Sequence, residues 1–272
     1  MPNKQPIVIS SIFKSGTWLL RSILERLTGL QPVEPVIGPG DMKHDDPQLV
    51  FAQEGCFYSW HFVPVPAIQE KLIDMDARVI FLVRNVYDLA LSMYHHFAGN
   101  IDHEIGRGAQ KHAYFASLSQ DEGMRQIIVG HDGPGFRWKG LEPFLAQMEL
   151  MFAFAKVYPA MVISYETLLR DKEKAVNRLA AYLELNPGQE LIKKIVEETR
   201  FDRMKKAAEK KGGGSHFRRG VLHAHAEEMS EENKILVRWI MQAHAPSLTL
   251  LAEDFDLSAD LLTCFKENGS EL

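Results

Sequence analysis

Apolar and polar positions along this chain alternate between two rhythms, a continuous or period-two run and a 3.6-residue repeat. Ile7–Ile12 is a short β-branched run closed by Ser and Gly, which predicts a buried strand. Leu19, Leu20, Ile23, Leu24 and Leu27 follow at helical spacing, with Arg21, Glu25 and Arg26 between them, and Gly29 supplies the stop. The same order returns further on. A strand is predicted near Phe57–His61, a short helix over Val65–Met75 and a fully apolar strand at Arg78–Val83. A helix then covers Asp88–Phe97. Later come a helix over Leu141–Val157, a strand at Met161–Tyr165, and helices over Asp171–Leu183, Glu190–Glu198 and Ser230–Ala243, the last with Ser230 as N-cap. Residues 31–56 are expected to form a long surface connection, and residues 99–140, rich in glycine, to form mobile loops around an acceptor. Lys205–Gly214 is basic and contains glycine, and is also expected to be mobile. Strands alternating with helices predict an α/β fold with a central parallel sheet flanked by helices.

Composition narrows the function classes. With 272 residues, 46% hydrophobic and 25% charged, the chain suits one globular domain with a substantial core. A net charge of -5 lacks the basic balance of a nucleic-acid binder, so no nucleic-acid partner is expected and any phosphate site must be a local pocket. Two cysteines, Cys56 and Cys264, make neither a disulfide framework nor a zinc set, which predicts a reducing compartment and no metal. Charged residues interrupt every apolar segment short of the roughly 18 residues a membrane helix needs. The N-terminus carries no secretory pattern, and a cytoplasmic protein without a membrane partner is expected.

The chemistry concentrates where strands give way to helices. Ser11–Leu20 (SIFKSGTWLL) joins the first strand to the first helix, where main-chain N–H groups and the helix dipole favour an anion. Lys14 adds a cation, Gly16 allows close backbone approach, and Ser15 and Thr17 bring hydroxyls. No glycine precedes the lysine as a Walker A loop would require, so the fold is read as P-loop-like. A second set, Arg84 to Ser92, begins at the carboxyl end of the most apolar strand, where ligands sit in open parallel sheets. Standing alone, Arg84 would as readily form a surface ion pair with Asp88.

Lys14-Ser15-Gly16-Thr17 resembles the Pro-Lys-Ser-Gly-Thr-Thr-Trp loop of sulfotransferases that use 3′-phosphoadenosine 5′-phosphosulfate (PAPS), with Phe13 in place of the proline and Trp18 in place of the second hydroxyl residue. The spacing of Arg84 and Ser92 is similar to that family's 3′-phosphate element, and Ser164-Tyr165-Glu166 resembles its Tyr-Glu-Asp segment. Thr199–Met204 is similar to its Thr-Ser-Phe-x-x-Met segment, and Phe217-Arg218-Arg219-Gly220 to its Arg-Lys-Gly tail. The resemblance implies a single sulfotransferase-like domain over residues 1–272. It implies that Lys14, Ser15, Gly16, Thr17 and Trp18 hold the phosphosulfate, and that Arg84, Ser92, Phe217, Arg218, Arg219 and Gly220 hold the 3′-phosphate. Tyr165, Thr199 and Phe201 would then line the adenine.

Sulfuryl transfer to a hydroxyl or amine needs a base for the acceptor proton and a cation for the departing oxygen. His61, 23 residues before Arg84, corresponds to the family's Lys-Thr-His-x-Pro histidine, and Lys14 to the cation; the family's lysine is Ser59 here. His95, His96, His223 and His225 are rival bases. Trp60, Tyr94, Phe97, Phe115, Phe136 and Trp138 suit either an apolar small-molecule acceptor or a core. A homodimer is compatible with this reading. The alternatives are a P-loop-type nucleotide kinase and a catalytically inert protein that binds adenosine 3′,5′-bisphosphate (PAP).

Overall fold

The computed structural model describes residues 5–33, 56–99, 107–210 and 220–254. In chain order they form β1 (Ile7–Ser11), α1 (Thr17–Thr28), β2 (Gln31–Val33), β3 (Cys56–Trp60), α2 (Pro66–Asp74), β4 (Arg78–Val83), α3 (Val86–Gly99), α4 (Arg107–Ser117) and α5 (Gln120–Val129). There follow β5 (His131–Gly133), β6 (Phe136–Trp138), α6 (Glu142–Val157), β7 (Met161–Ser164), α7 (Tyr165–Arg170), α8 (Lys172–Tyr182), α9 (Gln189–Glu198), α10 (Phe201–Glu209), α11 (His225–Glu228) and α12 (Glu231–Asp254). The chain divides into two compact units, one carrying Arg84 and the residues before it together with Gln147–Thr199, the other carrying Asn85–Ala146 and Arg200–Thr249.

The first unit is built on a five-stranded sheet in the order β2-β3-β1-β4-β7, with every pairing parallel. β1 lies in the middle because Ile7–Ser11 is buried along its whole length, and it sets Ile9 beside both Ser59 and Ile80. The chain leaves β1 towards β2 and β3 on one side and continues to β4 and β7 on the other. Such a reversal opens a crevice at the strands' carboxyl ends. The predicted parallel α/β sheet is therefore present, and the predicted helices recur as α1, α2, α3, α6, α8, α9 and α12 within a few residues, α12 running on to Asp254.

The second unit corrects the expectation for residues 99–140. Its described part holds α4, α5 and the antiparallel β5-β6 hairpin. A capping box starts α5: Ser119 accepts from the Glu122 N–H while the Glu122 carboxylate accepts from the Ser119 N–H. Gly123 lies inside that helix because the Tyr94 ring packs where a side chain would begin, 2.4 Å from an ideal Cβ. The aromatic residues considered for an acceptor mostly pack this unit. Phe97 stacks on Phe115 at 5.5 Å and meets Trp138 edge-on at 5.1 Å, and both phenylalanines are buried. The part of Lys205–Gly214 expected to be mobile is likewise helical as far as Glu209, with Phe201, Met204, Lys205 and Ala208 forming the more covered face of α10. Residues 31–33 belong to the sheet as β2; the rest of the predicted long connection, residues 34–55, lies outside the described residues, as does Cys264.

Asn85 starts α3, the helix that carries Ser92. Its carbonyl accepts from the Leu89 N–H, and its Oδ1 accepts from the N–H groups of Tyr87 (3.0 Å) and Asp88 (3.3 Å). Replacing this buried cap with alanine, Asn85→Ala, is expected to cost about 1–2 kcal/mol, whereas Asn85→Asp keeps most of the stability. Urea unfolding of the two variants checks this; equal stability would show that the cap contributes nothing.

Candidate active site

The loop after β1 is held by main-chain bonds before any ligand is considered. The Ile12 N–H donates to Leu82 O (3.0 Å), carrying the β1–β4 pairing one residue past the strand. Ser15 turns inward: its N–H donates to Ile12 O at 3.0 Å, and its hydroxyl lies 2.6 Å from the same oxygen and 3.2 Å from Leu82 O. Its donors therefore brace the loop. Gly16 then starts α1 with a φ of 96°, and no side chain caps that end of the helix. A Cβ at Gly16 would lie 2.3 Å from the Tyr165 ring, so glycine is required by both conformation and space. The Thr17 hydroxyl bonds Ser11 Oγ at 2.8 Å. Trp18, 53% exposed, points away from the core with the Arg21 guanidinium 5.8 Å over its ring.

Two cations face this helix start. Lys14, itself in the left-handed region with a φ of 66°, has its ammonium pushed down to about 8 by burial and then by the neighbouring Arg84 charge. Arg84 donates from Nη1 to the Lys14 carbonyl at 3.0 Å and lies 4.5 Å over the Tyr165 ring. Its Nε–H is buried without a hydrogen-bond partner. Among the described residues no carboxylate pairs with either cation. Two like charges, a buried donor without a partner and an uncapped helix end thus lie in one unit.

His61 follows β3 in the same unit. Its Nδ1 lies 2.8 Å from Ser11 O and 3.1 Å from Ser11 Oγ. A carbonyl only accepts, so Nδ1 carries a proton, and in the neutral imidazole the acceptor nitrogen is then Nε2. The Phe13 ring meets the imidazole edge-on at 5.7 Å. The next residue is pinned as well: the buried Phe62 carbonyl accepts from Ser10 Oγ and from Gln147 Nε2.

The remaining sequence-predicted residues divide between the units. Tyr165 is the first residue of α7, capped by Ser164, and serves as the ring between Gly16 and Arg84. Thr199 is buried at the end of α9, its hydroxyl donating to Ile195 O at 2.7 Å and its carbonyl accepting from Lys172 Nζ at 2.6 Å. In the second unit Ser92 is half-buried on α3, and the Phe201 ring lies against Gly220, where a Cβ would be 2.1 Å from it. Phe217, Arg218 and Arg219 lie outside the described residues. His95 lies 3.0 Å from the Glu228 carboxylate, His96 is buried, and Nδ1 of His225 lies 2.8 Å from Asp88 Oδ1.

Two residues escaped the sequence reading. Arg21 donates from Nε to Ser59 Oγ at 2.9 Å and from Nη2 to Ser59 O, bringing a guanidinium to the position where the resemblance had led one to expect a lysine. Its place four residues after Thr17, on the same helix face, was the available signal. Asp88, considered as the ion-pair partner Arg84 would have if its motif stood alone, is 1% exposed and receives donors from residues 223 and 225.

Among curated proteins the chain is 22% identical over 144 residues to Sulfotransferase 1B1 of Canis lupus familiaris and 23% identical over 153 residues to Sulfotransferase 1E1 of Homo sapiens. Each alignment takes in 53% of this chain and 42% of the relative, so the chain matches less than half the length of these curated proteins. In fold it is similar to mouse sulfotransferase SULT7A1 complexed with PAP, at a TM-score of 0.66 and 15% identity over 97% of this chain and 90% of that one. It is also similar to retinol dehydratase in complex with androsterone and inactive cofactor PAP, at a TM-score of 0.63 and 14% identity over 88% and 80% of the two chains. The family description "Sulfotransferase domain" matches residues 53–247, a stretch that begins after the Lys14 loop and reaches past Gly220. That match takes in more than half of the chain, which thereby belongs to the sulfotransferase family.

Proposed function

We propose that this protein is a PAPS-dependent sulfotransferase that moves a sulfuryl group onto a hydroxyl or amine of a small acceptor, with His61 as general base. The observation that carries the reading is the pair of cations Lys14 and Arg84, paired by no carboxylate among the described residues, beside an uncapped helix start in the unit that also holds His61. When bound, PAPS would supply the sulfuryl group and its leaving phosphate. Lys14 and the first-turn N–H groups of α1 would hold the phosphosulfate and stabilise charge on the departing oxygen. Arg84, through its unpartnered Nε–H, is assigned to a phosphate, together with Ser92, Gly220 and the preceding Phe217, Arg218 and Arg219; Tyr165, Thr199 and Phe201 are assigned to the adenine side. His61 would take the acceptor proton at Nε2 while Nδ1–H remains on Ser11 O. An acceptor with an apolar body is favoured by the androsterone and retinol present in the neighbouring retinol dehydratase structures.

The reaction is tested by following PAP release from PAPS across a panel of small hydroxylated and amine acceptors. His61→Asn is expected to lower turnover by about 10² to 10⁴ and to leave PAP affinity within a few-fold of wild type, because asparagine cannot accept a proton at neutral pH. Full turnover in His61→Asn would remove the base assignment. PAP binding without turnover of any acceptor would favour an inert nucleotide binder, and ATP with magnesium binding as tightly as PAP would favour a kinase.

Lys14 has a consequence for stability. A lysine whose native pKa is lowered binds its proton less tightly folded than unfolded, so its burden is fully present below pH 8 and fades as pH rises from about 8 towards 10.5. Lys14→Met is accordingly expected to raise the stability of the ligand-free protein at pH 7, by on the order of 1–3 kcal/mol, while abolishing PAP binding. Urea titration at pH 7 and pH 9.5 measures it, with the gain shrinking at the higher pH. A destabilised Lys14→Met would show that the ammonium is not under strain.

A further inference from the structure

We propose that Asp88 is a positioning residue that anchors the chain behind Gly220 to the face of α3 carrying Ser92. The inference rests on the reading above, in which Ser92 and Gly220 meet the 3′-phosphate. Asp88 stands in the first turn of α3, where a carboxylate suits the helix dipole, yet it is buried to 1% exposure and its oxygens are occupied. Oδ2 accepts from the His223 N–H at 2.8 Å, and Oδ1 accepts from the His225 N–H at 3.1 Å and from His225 Nδ1–H at 2.8 Å. The His225 ring also stacks on Tyr87 at 5.0 Å.

The segment it holds does not hold itself. Gly220 and His223 both have positive φ, 63° and 58°, and His223 pays for that conformation as a non-glycine residue. Three charge-assisted hydrogen bonds from one buried carboxylate offset that strain. Ser92 lies four residues beyond Asp88 and so on the same side of α3. One carboxylate thus fixes the backbone corner after Gly220 one helical turn from the Ser92 hydroxyl, while Phe201 closes against Gly220 from α10. Removing the anchor leaves Ser92 in place and releases the corner, so the contribution of the 3′-phosphate to binding is what it should change.

Calorimetric affinities for PAP and for adenosine 5′-phosphosulfate, which has no 3′-phosphate, test this in wild type, Asp88→Asn and His225→Ala, with melting temperatures alongside. Asp88→Asn is expected to weaken PAP by about tenfold or more and adenosine 5′-phosphosulfate by less than twofold; His225→Ala, which leaves both main-chain bonds to Asp88, should weaken PAP several-fold with the same selectivity. Equal losses for the two nucleotides, or no loss of either, overturn the anchor while leaving the sulfotransferase reading intact. If wild type itself binds PAP no tighter than adenosine 5′-phosphosulfate, the 3′-phosphate reading falls and the anchor with it. Should Asp88→Asn fail to fold, His225→Ala decides the question by the same ratio.

Discussion

In the first unit Lys14 and Arg84 lie close enough for the Arg84 charge to lower the Lys14 pKa, and no carboxylate among the described residues pairs with either. Two like charges in a half-buried place are costly unless something holds them there. Here the Lys14 carbonyl accepts from Arg84, the Tyr165 ring takes the guanidinium on its face, and the left-handed backbone at Lys14 and Gly16 fixes the turn. Each support is itself set by the sheet: Ser15 and Ile12 are tied to β4 through Leu82 O, and Tyr165 follows directly on β7. The order β2-β3-β1-β4-β7 therefore does more than enclose a core. It brings the ends of β1, β4 and β7 to the loop that carries Lys14.

His61 depends on the same framework in a different way. The proton on its Nδ1 is set by Ser11 O, a main-chain atom at the end of β1. The imidazole orientation is thereby coupled to the loop that carries Lys14, and in the proposed function one scaffold would serve both donor and base. Arg21, fastened to Ser59 two residues ahead of His61, adds positive charge on that side of the loop.

Much of the fold was legible because its strands are unambiguous. Arg78–Val83 and Ile7–Ser11 are apolar runs too short for helices, and the helices after them repeat at 3.6 residues. The glycines between residues 99 and 140 misled, since glycine is needed both for turns and for close packing such as Tyr94 on Gly123, and a count of glycines does not separate the two uses. The Lys14-Ser15-Gly16-Thr17 loop and Arg84 could be singled out because charge and donors recur there in a recognisable order. What could not be read was which hydroxyls face outward. Ser15 looks like a ligand in sequence and is a brace in structure, because its competing acceptors, Ile12 O and Leu82 O, come from the fold. Asp88 was hidden for the same reason: its partners lie more than 130 residues away in the chain.

In the proposed function an anionic nucleotide would restore the basicity that burial and Arg84 take from the Lys14 ammonium. Counting the protons taken up when PAP binds, by calorimetry in buffers of different ionisation enthalpy between pH 7 and pH 9.5, reads that directly. Little uptake is expected at pH 7, where Lys14 is already charged, and a rise towards one proton per PAP above pH 8, with affinity falling over the same range. Affinity unchanged from pH 7 to pH 9.5 with no proton uptake at any pH would contradict the account.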